Sequence, residues 1–422
     1  VVEIDHNMSD WYQQVRSQSL SICDPLELED HQIQPMDDAS PPKWHLAHTS
    51  WFFETFLLKP YAKGYQPLDS RYETLFNSYY NGVGSPFPRS NRGNLSRPTL
   101  NQVHQYRQHV DSHMQHLLGS FDDEDVIFRT TLGLHHEQQH QELMFTDLKY
   151  NFGHNPLMPA YTHNRHSVAS EASPLTYSLV EEGLYQIGNN AQDNFCFDNE
   201  TPSNQVWLNQ FEIADRVVTN SEYQEFVDDG GYHQPELWLS DAWALMQKQS
   251  PDKRWSGPLY WRRDGQHHEY QLSGCSPLNP MLPVCHVSAY EALAYTKWLS
   301  MQTGISHRLP TEAEWEVSAA DEPIEGNFAE SGLFHPAPAK NRQFFGDVWE
   351  WTSSSYGPYP GYQEFAGQLG EYNGKFMANQ LVLRGGSCVT PESHIRLTYR
   401  NFFYPPDRWQ FSGIRLVRDT PN

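Results

Sequence analysis

The chain has 422 residues, enough for two or three domains at about 150 residues each. Its 52 acidic residues against 29 basic ones give a formal net charge of -23, which lacks the basic footprint of a nucleic-acid binder. No apolar run reaches the roughly 18 residues of a membrane span, and five cysteines without a CxxC spacing make neither a disulfide framework nor a zinc ribbon. The start, Val1 to Asp5, is acidic and polar, unlike a secretory signal, so the expected location is cytoplasmic, with no nucleic-acid or membrane partner.

The N-terminal part reads as helical. Met8–Ile22 is periodic, with Ser9 as its expected N-cap. Pro41-Pro42 precede a second helix over Lys43–Leu58, since Pro is tolerated in a first turn. Residues 60–99 are rich in Gly, Pro, Asn and Tyr, a long loop whose aromatic content speaks for a functional, ordered segment. Helices are expected over Leu100–Phe121 and Glu124–Phe152, so four helices with a long crossover predict a bundle.

Residues 153–175 are polar and broken by Pro, as a linker would be. From residue 176 the segments are short and turn-rich. Helices are expected over Glu291–Gln302, after Ser288, and over Thr311–Ala320, where Glu314 is placed to complete a capping box with Thr311.

His is abundant, at 21 residues. His136 and His140, four apart in Leu134–Glu142, share a helix face, roughly with Leu132, Leu143 and Asp147. Two imidazoles one turn apart suit a first-row transition metal such as iron or zinc. The same spacing also occurs on solvated helix faces. Trp44–Trp51 offers a third ligand: His48, on a face with Trp44, Trp51 and Thr55, or His45, about a quarter turn away. His136-Glu137-Gln138-Gln139-His140 formally matches H-E-x-x-H, the zinc-protease pattern with Glu as general base. Against protease, the third His lies upstream on another helix, and Gln138, Gln139 and Gln141 make the surroundings polar.

His48, His136, His140 and Glu142 resemble the three-histidine pattern of DinB-type four-helix bundles. The second half resembles the formylglycine-generating-enzyme, or sulfatase-modifying-factor, domain, with its C-type-lectin-like fold. The marks are Gly183–Gly188, Asp198–Pro202, Val218–Tyr223, Arg308–Glu316, Gly346–Trp351, Arg384–Ser387 and Gly413–Leu416, in that order. Together the two halves resemble the ergothioneine-biosynthesis sulfoxide synthase (EgtB) family over nearly the whole chain. The resemblance implies an α+β multidomain fold: a helix bundle over 1–152, a linker over 153–175 and a mixed domain with little regular structure over 176–422.

It further implies an oxidoreductase in which His48, His136 and His140 hold non-haem Fe(II), and O2 drives joining of a cysteine-type thiol to imidazole C2 of hercynine, Nα-trimethylhistidine. Glu142, about 200° round the helix from His140, is read as structural or supporting. Tyr79 and Tyr80 match a loop Tyr pair that donates a proton beside iron. Arg89 and Arg92 are implied to bind the thiol substrate's carboxylate, through the planar guanidinium fork. Gln139, Asn401 and Phe402 are implied hercynine contacts, an aromatic ring receiving the trimethylammonium group. Phe403 stands where members using γ-glutamylcysteine tend to carry Asp, which points to free cysteine.

Formylglycine generation needs a closely spaced cysteine pair in the C-terminal part, and no Cys follows Cys388. The rival readings are an ovothiol-pathway cysteine–histidine sulfoxide synthase, a zinc metalloprotease through residues 136–140, and a non-catalytic metal- or sugar-binding module.

Overall fold

The computed structural model of the protein describes residues 8–119, 123–163, 172–190, 195–251, 253–263, 267–338, 340 and 342–419. Two units emerge. The first runs to Tyr161 and includes the distant segment Phe365–Tyr372, and the second comprises Thr162–Glu364 and Asn373 onward.

In the first unit the four long helices are α1 (Met8–Cys23), α2 (Pro42–Phe53), α3 (Leu100–Leu118) and α4 (Glu124–His154). The chain is already helical at Met8, so Ser9 lies inside α1 and is not its cap. The expected end of α3 at Phe121 falls outside the described residues. Thr99 and Gln102 start α3 with a reciprocal capping box.

Helix α2 is buried on all sides, every residue from Pro42 to Phe53. A helix apolar or sealed all round belongs at the centre of its unit. Accordingly α2 packs on both α3 and α4, while α1 packs on α4. Beyond Phe53 the helix continues as a π-helical turn, Glu54–Leu58, and then Lys59–Tyr61. Such turns are frequent beside functional sites.

One glycine sets the approach of α4 to α2. A Cβ at Gly133 would lie 2.6 Å from Phe53 Cε1 and 3.0 Å from Phe52 Cε1. Bare backbone therefore lets the two helices close together one turn before His136.

The second unit holds one antiparallel sheet in the spatial order Tyr177–Val180, Phe211–Ala214, Val417–Asp419 and His307–Arg308. Another runs Asn401–Phe403, Leu381–Arg384, Trp349–Ser355 and Ser412–Gly413, with its last pair parallel. A hairpin pairs Gly183–Ile187 with Asn204–Leu208, and a three-stranded sheet lies within Trp261–Pro277.

The expected helices appear as Ala289–Thr303 and Glu312–Ala319, with Ser288–Glu291 and Thr311–Glu314 capping boxes. Two further helices, Asn220–Asp228 and Ser240–Lys248, are additions to the sequence reading. Under the Asn401 strand, buried Arg400 pairs with Glu312 at 2.9 Å and stacks its guanidinium 4.1 Å from the Tyr359 ring centre. No helix among the described residues is long and apolar enough to cross a membrane.

Candidate metal centre

Helices α2 and α4 bring His48, His136 and His140 together. One nitrogen from each lies within 4.8 Å of the others, and all three side chains are buried. His48 Nε2 and His136 Nε2 are 3.2 Å apart. Two bonds of about 2.1 Å to a shared ion span such a gap. His136 Nδ1 has no hydrogen-bond partner. Buried polar nitrogens facing one another are costly unless something binds them, so this donor set fits a transition-metal ion.

The protonation states agree. Burial pushes the His136 imidazole down to about 3, and pushes His48 and His140 well below the ordinary histidine value, assisted by their neighbouring imidazoles. Neutral imidazole is the form that ligates a metal.

Local sequence explains how His48 is aimed. Trp44, His48 and Trp51 sit at i, i+4 and i+7, one face of α2. The Trp44 and Trp51 indoles donate to the Leu75 and Glu73 carbonyls at 3.3 and 3.0 Å. His48 Nδ1 donates to the Phe76 carbonyl at 2.6 Å, which leaves Nε2 with its lone pair. Both indoles lie parallel to the His48 ring, at interplanar angles of 11° and 15°.

His45, the other histidine offered by α2, is outside the three-histidine group. Its Nδ1 lies 2.8 Å from His140 Nδ1 and its Nε2 lies 3.0 Å from the Asp147 carboxylate. Glu142 is buried and likewise outside the group.

Glu137 is committed elsewhere. Its carboxylate accepts from Arg16 Nη1 and Arg107 Nη2, both at 2.9 Å, and from Ser19 Oγ at 2.6 Å. Burial alone would push this carboxyl up, but the two guanidinium groups and Ser19 outweigh it and hold it at about 2. A carboxylate so held is unsuited to be the general base of a protease, and that reading of H-E-x-x-H loses its key residue.

The loop arginines part ways. Arg89 is exposed, whereas Arg92 is buried with its guanidinium carbon 3.4 Å from the Trp44 ring centre. Arg92 donates to Ser40 Oγ at 2.9 Å and Ser78 Oγ at 3.1 Å, and its Nε is unpaired. Burial and the neighbouring Arg89 push Arg92 well below the ordinary arginine value. A buried guanidinium held only by hydroxyls is primed for an anion.

Tyr79 and Tyr80 stack with 4.6 Å between ring centres, Tyr79 half-buried and Tyr80 fully buried. Burial and the Tyr79 phenol push Tyr80 well above its ordinary value. Asn77 braces the turn: its Oδ1 accepts from Tyr80 N–H at 2.9 Å, and its amide donates to the Tyr80 and Gly84 carbonyls.

The segment Phe365–Tyr372 adds a residue the sequence reading missed. Glu371 accepts from the Asn81 and Gly82 N–H groups at 3.0 and 2.7 Å, which anchors the segment. The Tyr372 hydroxyl then donates to Gln139 Oε1, and its ring meets His136 edge-on at 5.6 Å.

Asn401, Phe402 and Phe403 belong to the second unit, as a strand paired with Leu381–Leu383. Tyr356 stacks on Phe402 at 4.0 Å, and Asn401 Oδ1 accepts the Phe402 N–H. Cys388 is wholly buried.

Comparison with known proteins also finds two parts, but places Phe365–Tyr372 with the second. Residues 12–144 match the DinB superfamily, and residues 165–332 and 324–420 match the sulfatase-modifying factor enzyme 1-like domain. The hercynine oxygenase of Mycolicibacterium smegmatis is 31% identical, over 90% of this chain and 91% of that protein. The hercynine oxygenase of Mycobacterium tuberculosis is 30% identical, over 90% of this chain and 91% of that protein. The formylglycine-generating enzyme of Streptomyces coelicolor is 29% identical, over 56% of this chain and 87% of its own length.

Proposed function

We propose, since the chain belongs to the hercynine oxygenase family, that this enzyme joins the sulfur of cysteine to imidazole C2 of hercynine, using Fe(II) at His48, His136 and His140 and dioxygen as oxidant. The observation that carries the reading is the convergence of three buried, neutral imidazoles with the buried Arg92 guanidinium nearby. The reaction balances without a further co-reactant. Hercynine loses the C2 hydrogen and cysteine the thiol hydrogen. One atom of dioxygen becomes the sulfoxide oxygen and the other leaves as water.

Bound Fe(II) would supply the redox centre at which thiol and dioxygen react. The chain's own residues place the partners and manage protons. Arg92 takes the carboxylate of cysteine, and exposed Arg89 strengthens the local positive field. The Tyr79 and Tyr80 phenols, with that of Tyr372, serve as proton donors, and the Tyr372 ring meets His136 edge-on. Gln139 orients the Tyr372 hydroxyl and hercynine. Asn401 and Phe402 hold hercynine, the Phe402 ring offering its face to the trimethylammonium group. Phe403 supplies no carboxylate for a γ-glutamyl amine, which favours cysteine over γ-glutamylcysteine.

The test is anaerobic protein loaded with Fe(II), then given cysteine, hercynine and O2, with products read by mass spectrometry. The expected product is a hercynine–cysteine sulfoxide, with no adduct when histidine replaces hercynine. Absence of an O2-dependent adduct, or an adduct with histidine alone, overturns the reading.

A further inference from the structure

Behind His140 lies a second layer of buried polar groups that the three-histidine reading does not use. His45 is 2% exposed and Asp147 5% exposed. They form a chain: Asp147 Oδ2 to His45 Nε2 at 3.0 Å, then His45 Nδ1 to His140 Nδ1 at 2.8 Å. The same carboxylate oxygen accepts the Ser40 backbone N–H at 2.8 Å, which fixes it from the other side.

Hydrogen-bond chemistry gives this chain one direction. A carboxylate only accepts, so His45 carries its proton on Nε2. With His140 binding a metal through Nε2, its Nδ1 carries the ring's proton and donates it to the His45 Nδ1 lone pair. A neutral His140 protonated at Nδ1 has its remaining lone pair at Nε2. His48 reaches the same state by another device, its Nδ1–H donating to the Phe76 carbonyl. A backbone carbonyl selects the tautomer of one histidine, and a carboxylate acting through an intervening imidazole selects that of the other.

We propose that Asp147 and His45 are a positioning pair that fixes the tautomer and ring orientation of His140, making its Nε2 the atom that binds a divalent transition metal. The inference rests on the reading of His140 as a ligand. The spacing is also economical: Asp147 is seven residues past His140 on α4, and His45 is three before His48 on α2. The two helices that supply the ligands therefore supply their support. Ser40 extends the arrangement, since its hydroxyl accepts from Arg92 Nη1 at 2.9 Å while its N–H holds Asp147. Groups that orient metal-bound histidines in this way typically carry a 10–100-fold effect on metal affinity.

The experiment uses the full chain, stripped with chelator and titrated anaerobically with Fe(II) and with Co(II), whose visible spectrum reports ligand geometry. Asp147→Asn is nearly isosteric, but its one neutral carbonyl oxygen must serve both the Ser40 N–H and His45 Nε2, so it holds the His45 proton more weakly than the carboxylate does. His45→Ala removes the intermediary. The expected result is about a 10–100-fold loss of affinity for both ions in each variant, and a changed Co(II) spectrum in Asp147→Asn. The unfolding midpoint of metal-free Asp147→Asn should match that of the parent.

Parent-like affinity and spectrum in Asp147→Asn overturn the proposal. So does an affinity loss that merely follows lost metal-free stability while the bound fraction keeps the parent spectrum. His140→Ala separates the two levels: parent-like metal binding there removes the ligand reading itself, whatever the behaviour of Asp147 and His45.

Discussion

The guanidinium carbon of Arg92 lies 3.4 Å from the centre of the Trp44 ring, and that indole lies parallel to His48 with 4.6 Å between ring centres. The proposed anion-binding group and a proposed metal ligand are thus positioned by one side chain. Arg92→Lys keeps the charge but loses the planar stack and the fork. It is expected to raise KM for cysteine at least tenfold while leaving one metal bound per chain. Steady-state kinetics and metal analysis on one preparation check both.

Glu137 gives a prediction about acid stability. Its carboxyl sits at about 2 against an ordinary 4.5, so the stability it contributes is complete above pH 4.5 and is lost as pH falls through 2. Glu137→Gln leaves Arg107 without its carboxylate partner and Arg16 with Asp111 alone, an expected loss of about 3–5 kcal/mol at neutral pH. Urea unfolding across a pH series should show the parent losing its advantage over the variant as pH falls through this window. Equal stability of the two at pH 7 would contradict the assignment.

Gly133 is expected to tolerate no side chain. Alanine there gains about 1 kcal/mol of helix propensity, but its Cβ would meet Phe53 at 2.6 Å. Overpacking of this kind costs about 1–3 kcal/mol and displaces backbone. Gly133→Ala should retain helicity by circular dichroism yet bind Co(II) more weakly, because α4 carries His136 and His140 away from His48.

Tyr372 is expected to matter more to product choice than either loop tyrosine. Its hydroxyl is held by Gln139 and its ring touches His136. Tyr372→Phe should divert turnover from the sulfoxide towards cysteine sulfinate several-fold, with a smaller shift for Tyr79→Phe or Tyr80→Phe. The ratio of the two products by mass spectrometry decides the order.

Much of the bundle is readable from the chain alone, because its helices carry long periodic segments and recognisable caps. The choice between His45 and His48 is not. Both sit on a helix buried all round, so no polar face tells them apart. The distinction is made by the Phe76 carbonyl and the Asp147 carboxylate, contacts 28 and 102 residues away. Arg89 and Arg92 stand three apart in the single turn Arg89–Asn94, yet one is exposed and the other buried, a difference set by Trp44. Tyr372 was beyond reach for the same reason. Its partner Gln139 lies 233 residues earlier, and nothing local in Gly370-Glu371-Tyr372-Asn373 announces it.

The membership of Phe365–Tyr372 in the first unit has a consequence for how the protein is made. Synthesis runs from the N-terminus, so the four long helices emerge from the ribosome long before the segment that packs among them. The bundle acquires Tyr372 only after most of the second unit has been translated. A gene fragment ending at Tyr161 encodes the three histidines but not the phenol beside them.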